Sequence, residues 1–224
     1  MAKIMICVPT MDKVDASFFA SVLGLRYDGA HRYAWNVKSN SMIYDARNAF
    51  ALDAIKGRFD YLVFLDSDIV MEPDTVLQLV EDIEQSGADL VTGIYFKRRL
   101  PTAPVIYRHI DWYEDEVLGA QESAEVYEDW PDNGGLFEIE GCGMGCCVIR
   151  VGMLPEVVAA FRISPFTPQP RLSEDLSFCW RLKKLRKRML CDPGILPGHA
   201  GLWVYRKADW DRQREAEGWD NGQE

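Results

Sequence analysis

Apolar residues cluster in short unbroken runs over the first hundred positions, and the segments between them carry apolar side chains at helical spacing. "KIMICVPT" (3–10), the run opening "YLVFLDSDIV" (61–70) and "ADLVTGIYF" (88–96) read as strands buried on both faces. In "DASFFASVLGL", Phe18, Val22 and Leu25 mark one helical face. From Ser41 to Lys56, Ile43, Phe50, Ala54 and Ile55 mark another, with Gly57 just beyond as a stop. "EPDTVLQLVEDIEQSG" reads as a third helix, with Pro73 near its first turn and Gly87 at its end. This alternation predicts an α/β fold: a mostly parallel central sheet flanked by helices in a single domain, with ligands at the carboxyl ends of the strands.

The second half is less regular. Between Asp111 and Ile149 there is no Lys or Arg, while acids recur and Trp112, Tyr113, Tyr127 and Trp130 are interleaved. The expectation is a long, partly mobile insertion over 110–135, its rings either facing an acceptor or tucked into the core. Strand character returns in "FEIEGCGMGCCVIR". "SEDLSFCWRLKKLRKR" is a well-signalled helix, with Ser173 as N-cap, acids in the first turn and bases in the last. Residues 1–205 are expected to form the domain and 206–224 a polar tail.

Composition narrows the class. A chain of 224 residues that is 48% hydrophobic, with seven Trp, can build one substantial core. No stretch approaches eighteen consecutive apolar residues and no leader pattern opens the chain, so the expectation is a soluble, cytoplasmic protein without a transmembrane segment. Six cysteines in apolar segments suit buried, reduced thiols, and the cluster Cys142, Cys146 and Cys147 lacks a second pair at zinc-site spacing. A net charge of −10 argues against broad binding to nucleic acid or anionic membrane.

The two carboxylates of "DSD", Asp66 and Asp68, end an otherwise apolar strand. In an extended strand they would share one face with Ser67 pointing away, and such a pair repels unless a cation or hydrogen bonds compensate it. A turn with both groups solvated is the plain alternative. The position at the end of a central strand favours a hard divalent ion completed by diphosphate oxygens.

"ARNAFALDAIKGRFDYLVFLDSDIVMEPDTVLQLVE" resembles the core of GT-A (Rossmann-like) glycosyltransferases, especially glycosyltransferase family 2. "GCGMGCCVIR", "SEDLSFCWRLKK" and "MLCDPGILPGHAG" continue the resemblance in order over roughly residues 3 to 205. It implies a nucleotide-diphosphate sugar donor, most simply a UDP- or GDP-sugar, transferred to an acceptor hydroxyl, with inversion. Asp66 and Ser67 would face the nucleotide, and Asp66, Asp68 and His199 would hold Mn²⁺ or Mg²⁺. Asp175, with Glu174 as the alternative, would be the general base. Arg47 and Asn48 match the family's helix motif near the nucleotide, while Lys97 and Arg98 would meet the diphosphate or an anionic acceptor. The first-strand end, "CVPTMD", departs from the family's acidic pattern, leaving Pro9, Thr10 and Asp12 as candidate base contacts. A nucleotidyltransferase acting on a sugar phosphate, or a silent nucleotide-sugar-binding module, are the alternatives. The first is weakened by the lack of a glycine-rich, basic loop after the first strand.

Overall fold

The computed structural model describes residues 1–131 and 134–217. The chain runs β1 (Lys3–Pro9), α1 (Ala16–Gly24), β2 (Arg32–Lys38), α2 (Ile43–Lys56), β3 (Tyr61–Leu65), β4 (Ile69–Val70), α3 (Thr75–Ser86) and β5 (Leu90–Thr92). It continues with β6 (Ile106–Asp115), β7 (Gly119–Val126), β8 (Phe137–Glu138), β9 (Gly141–Cys142), β10 (Cys146–Arg150) and α4 (Leu154–Phe161). Last come α5 (Glu174–Lys184), β11 (Met189–Cys191), β12 (Gly198–Ala200), β13 (Val204–Tyr205) and α6 (Lys207–Ala216).

Seven strands form the central sheet in the order β2-β1-β3-β10-β5-β11-β8. Five of them share one direction; β10 and β8 run against their neighbours. The apolar runs alternate between two cores, as strand geometry requires. Met5, Cys7, Leu62 and Phe64 face α2, α4 and α5, while Ile4, Ile6, Val63 and Leu65 face α1 and α3. In α3, Val76, Leu79, Val80 and Ile83 form the buried stripe, and Gly87 ends the helix in the left-handed region at φ 68°. Ser173 caps α5 by accepting the Leu176 N–H, which fixes where Glu174 and Asp175 begin the helix. All six cysteines are buried and outside any disulfide. Among the described residues no helix is long and apolar enough to cross a membrane.

Two expectations need correction. The insertion over 110–135 is not a loop for most of its length: β6 and β7 pair antiparallel from Tyr107↔Val126 to Asp115↔Gly119, and Ile106 and Ile110 anchor the hairpin in the core. Its acids sit on the solvated face, which hid the strand alternation. The expected tail contains α6, whose Trp210 is buried near Phe96 and whose Gln213 accepts the Thr102 N–H at 2.7 Å. The rest of that tail, 218–224, lies outside the described residues. The edge strand β2 carries exposed and half-buried residues throughout, so its pattern gave no apolar run to read.

Candidate active site

The Asp-Ser-Asp segment lies where β3 leaves the sheet. Asp66 N–H donates to Gly145 O at 2.9 Å, extending the β3–β10 ladder by one bond. Ile69 N–H then donates to Asp66 O at 3.0 Å, closing a four-residue turn into β4. Asp15 N–H donates to Ser67 O and Ala200 N–H to Asp68 O, so the turn is pinned from both sides. Strand alternation therefore does not apply across 66–68. The turn sends the two carboxylates to different partners.

Asp66 faces a buried arginine. Arg47, on the inner face of α2, is 1% exposed; its two terminal nitrogens each lie 3.3 Å from Asp66 Oδ1, and Nη1 also reaches Met144 O. Its Nε stands 3.3 Å from Asp175 Oδ1 and 3.8 Å from Glu174 Oε1. Burial opposes the guanidinium charge, but Asp66, Asp175 and Glu174 outweigh it and hold Arg47 firmly protonated. Three carboxylates around one cation leave an excess of negative charge. Asp175 carries the consequence: burial first, and the charges of Glu174 and Asp66, push its carboxyl up to about 7 against the opposing pull of Arg47 and the Met144 N–H.

The glycines of "GCGMG" make this packing possible. Tyr95 is 5% exposed and its hydroxyl accepts the Gly145 N–H at 3.1 Å. A β-carbon on Gly145 would lie 2.9 Å from Tyr95 Cζ and 3.1 Å from Asp66 Oδ2, and one on Gly143 would overlap the Tyr95 hydroxyl. Only a bare backbone lets the ring and the carboxylate close on this strand.

Asp68 faces the other way. His199 Nε2 lies 3.4 Å from Asp68 Oδ1, and Arg98 pairs with Asp68 Oδ2. His199 Nδ1 lies 2.8 Å from Phe96 O, a carbonyl that can only accept, so Nδ1 donates there and Nε2 is the ring nitrogen that faces Asp68. Burial opposes ionisation of Asp68, yet the His199 hydrogen bond and the charges of His199 and Arg98 hold its carboxyl below the usual range. Both carboxylates line a cavity of about 260 Å³, whose other walls include Pro9, Thr10, Met11, Ser41, Ile43, Arg98 and His199.

Of the residues singled out in the sequence, Pro9, Thr10, Asp66, Ser67, Asp68, Arg98 and His199 meet at this cavity. Asp175 and Glu174 adjoin it through Arg47. Arg47 itself is a buried clamp on carboxylates, not an open phosphate contact. Asn48 accepts the Phe166 N–H at 2.8 Å and so anchors the segment before α5. Asp12 is exposed and Lys97 lies outside the cavity lining. Sequence reasoning missed Tyr95, Met11, Ser41 and Ile43. A tyrosine in "GIYF" looks like ordinary core, and the other three signal nothing until β1 and α2 are brought together.

Among the described residues no group of three His, Cys, Asp or Glu side chains is placed to hold a metal ion. Asp68 and His199 nonetheless form a two-donor set, one hard oxygen and one imidazole nitrogen. That set suits Mn²⁺ or Mg²⁺ when diphosphate and water oxygens complete the shell.

Residues 35–154, more than half of the chain, match the sequence profile of glycosyl transferase family 2. The chain belongs to that family. The match spans α2, the Asp-Ser-Asp turn and the glycine strand β10. The mannan polymerase complex subunit mnn9 of Schizosaccharomyces pombe (strain 972) is 24% identical over 143 residues, which is 55% of this chain and 42% of that protein. The family 2 chain thus spans less than half the length of that curated relative. Among solved structures, A197 from STIV superposes with a TM-score of 0.58 at 20% identity, covering 89% of this chain and 86% of that one. GalNAc-T7, solved with UDP, GalNAc and Mn²⁺, gives 0.57 at 10% identity over 96% of this chain and 48% of that one. At these identities the two superpositions establish the fold alone, a GT-A fold.

Proposed function

We propose that this family 2 protein transfers a sugar from a nucleoside-diphosphate donor to an acceptor hydroxyl, with inversion at the anomeric carbon. The observation that carries the reading is the Arg47 bracket, which brings the ionisable carboxyl of Asp175 beside the Asp-Ser-Asp turn. A carboxylate half-protonated near neutral pH is matched to removing a proton from a hydroxyl as its oxygen attacks. Asp175 takes that proton; Arg47 holds the carboxylate in place and balances the charge of Asp66. Glu174 is farther from the guanidinium, and its contribution is to raise Asp175.

The donor fits the cavity from one side. Pro9, Thr10, Met11, Ser41 and Ile43 give a mostly uncharged wall for the nucleoside, and Asp68, His199 and Arg98 face its diphosphate. Asp68 and His199 are the residues that would hold a divalent cation. That ion supplies Lewis-acid stabilisation of the departing diphosphate. Arg98 adds a second positive charge once a phosphate draws it from Asp68. A GT-A neighbour solved with UDP and Mn²⁺ supports a nucleotide donor of this kind.

The test is a melting panel of UDP, GDP, CDP and dTDP with and without Mn²⁺, on wild type, Asp68→Ala and His199→Ala. A ligand bound at a hundred times its Kd stabilises by about 2.7 kcal/mol, enough for a shift of several degrees. One nucleotide stabilising only with the metal, and neither variant responding, is the expected result. No shift from any nucleotide overturns the donor-site reading. NMR assignment of the product anomer then checks inversion.

A further inference from the structure

A second, larger cavity adjoins the donor site and takes no part in it. It measures about 710 Å³ and is lined by Leu100, Pro101, Trp203, Asp209, Arg212 and Gln213. The same two segments wall both cavities: Arg98 and His199 line the donor side, Leu100 and Trp203 the other. A β-carbon on Gly201 would lie 3.3 Å from Arg98 Cβ, so the two segments touch at this seam. His199 pairs with Tyr205 across β12 and β13, and the Tyr205 ring stacks on Trp203 with centroids 4.6 Å apart. The aromatic face is thus fixed to the strand that presents the His199 imidazole.

We propose that this cavity is an acceptor subsite for an oligosaccharide, with Trp203 as the platform under a sugar ring. The inference rests on the glycosyltransferase reading above and names the acceptor class for it. Arg98 and His199 of the donor cavity sit on the same two segments as Leu100 and Trp203, so a ligand held by the larger cavity lies beside the residues proposed to face the diphosphate. The chemistry of that cavity suits a carbohydrate: a flat indole covers the C–H face of a ring, and the paired Asp209 and Arg212 and the Gln213 carboxamide, which also holds Thr102, add polar atoms to the lining for its hydroxyls. Trp203 is 44% exposed, Leu100 60% and Leu202 93%, which is costly apolar exposure for a turn that covers nothing. The net charge of −10 disfavours a polyanionic acceptor. The tryptophans of the 110–135 insertion do not compete for this role. Trp112 donates its indole N–H to Pro170 O at 3.0 Å and packs edge-on to Trp180, and Trp130 lies against Phe96.

The test uses the full chain with UDP or GDP and Mn²⁺ present, in wild type, Trp203→Ala and Leu100→Asp. Mannose, mannotriose, cellotriose and chitotriose are titrated by saturation-transfer NMR and calorimetry, beside a serine-containing peptide. The expected result is that a trisaccharide binds more tightly than a monosaccharide and that each variant binds it about tenfold more weakly. The nucleotide-induced melting shift stays as in wild type. Leu100 is mostly exposed and Trp203 nearly half exposed, and that shift also reports that the variants are folded. If nucleotide binds and no saccharide does, or only the peptide does, or saccharide affinity is unchanged in both variants, the subsite is overturned while the glycosyltransferase reading stands. If no nucleotide binds wild type, that reading falls and the subsite falls with it.

Discussion

Arg47 Nε stands 3.3 Å from Asp175 Oδ1, and neither atom makes a well-directed hydrogen bond. The contact is a charge contact in a buried setting, where geometry is held by packing and charge balance sets the stability. With Asp66 and Glu174 on the same guanidinium, one cation serves three carboxylates.

Arg47→Ala removes that cation and leaves three acids facing one another. Stripping one partner from a buried ion pair costs about 3–5 kcal/mol, a fall in Tm on the order of 10 °C. Carboxyls left in this way bind protons more tightly in the folded state than in the unfolded chain, so stability drops as pH rises. The loss measured by thermal melts is expected to be larger at pH 8 than at pH 5.

Asp175→Asn separates function from stability. Loss of a general base costs about 10²–10⁴ in kcat, read with donor and acceptor saturating. Because the folded-state carboxyl is raised to about 7, its ionised form is disfavoured by folding, and the wild type loses stability between the unfolded value near 4 and about 7. Above pH 7 the asparagine variant is therefore expected to melt a few degrees higher than wild type, and at pH 4 the two should match.

The pH–rate profile follows from the same group. A base active as the carboxylate gives a kcat/KM that rises through about pH 7 and levels off above it. In Glu174→Gln one neighbouring negative charge is gone, so the rising limb is expected to move to lower pH. An unmoved limb would mean that the titrating group is not Asp175.

Gly145→Ala and Gly143→Ala test the close packing of Tyr95 on the glycine strand. Each added methyl meets the Tyr95 ring or hydroxyl, and overpacking of this kind costs typically about 1–3 kcal/mol. Tyr95→Phe, by removing the hydroxyl, is expected to recover part of the Gly143→Ala loss in a double-mutant melt and little of the Gly145→Ala loss.

The elements that were legible in the sequence are those whose apolar residues decide their own placement. β1, β3, α3 and α5 each carry a full buried face or a clear cap. β2, the β6–β7 hairpin and α6 bury few side chains, one of them in α6, and take their form from pairing or from a single anchor such as Trp210. In the site, Asp68 stood out as a carboxylate ending an apolar strand, while His199 and Asp175 were picked out by resemblance to a family pattern. The roles of Arg47 and Tyr95 were illegible, because each depends on β10 arriving from the distant half of the chain: Arg47 reaches Met144 and Tyr95 reaches Gly145.

The reversed strand β10 also sets a timetable. It lies between β3 and β5, so both keep a bare edge until residues 146–150 have been made and have turned back into the gap. On a ribosome that wait lasts several seconds at ordinary synthesis rates, with the apolar YLVFL strand half-paired throughout. A nascent chain stalled before Gly141 is thus a strand-addition hazard, prone to pair with its own copies. Arrival of β10 closes the gap between β3 and β5 and delivers the Gly145 carbonyl to Asp66 in the same step, so the exposed β3 edge is covered and the Asp-Ser-Asp turn begins to form together, before the Ala200 N–H reaches Asp68.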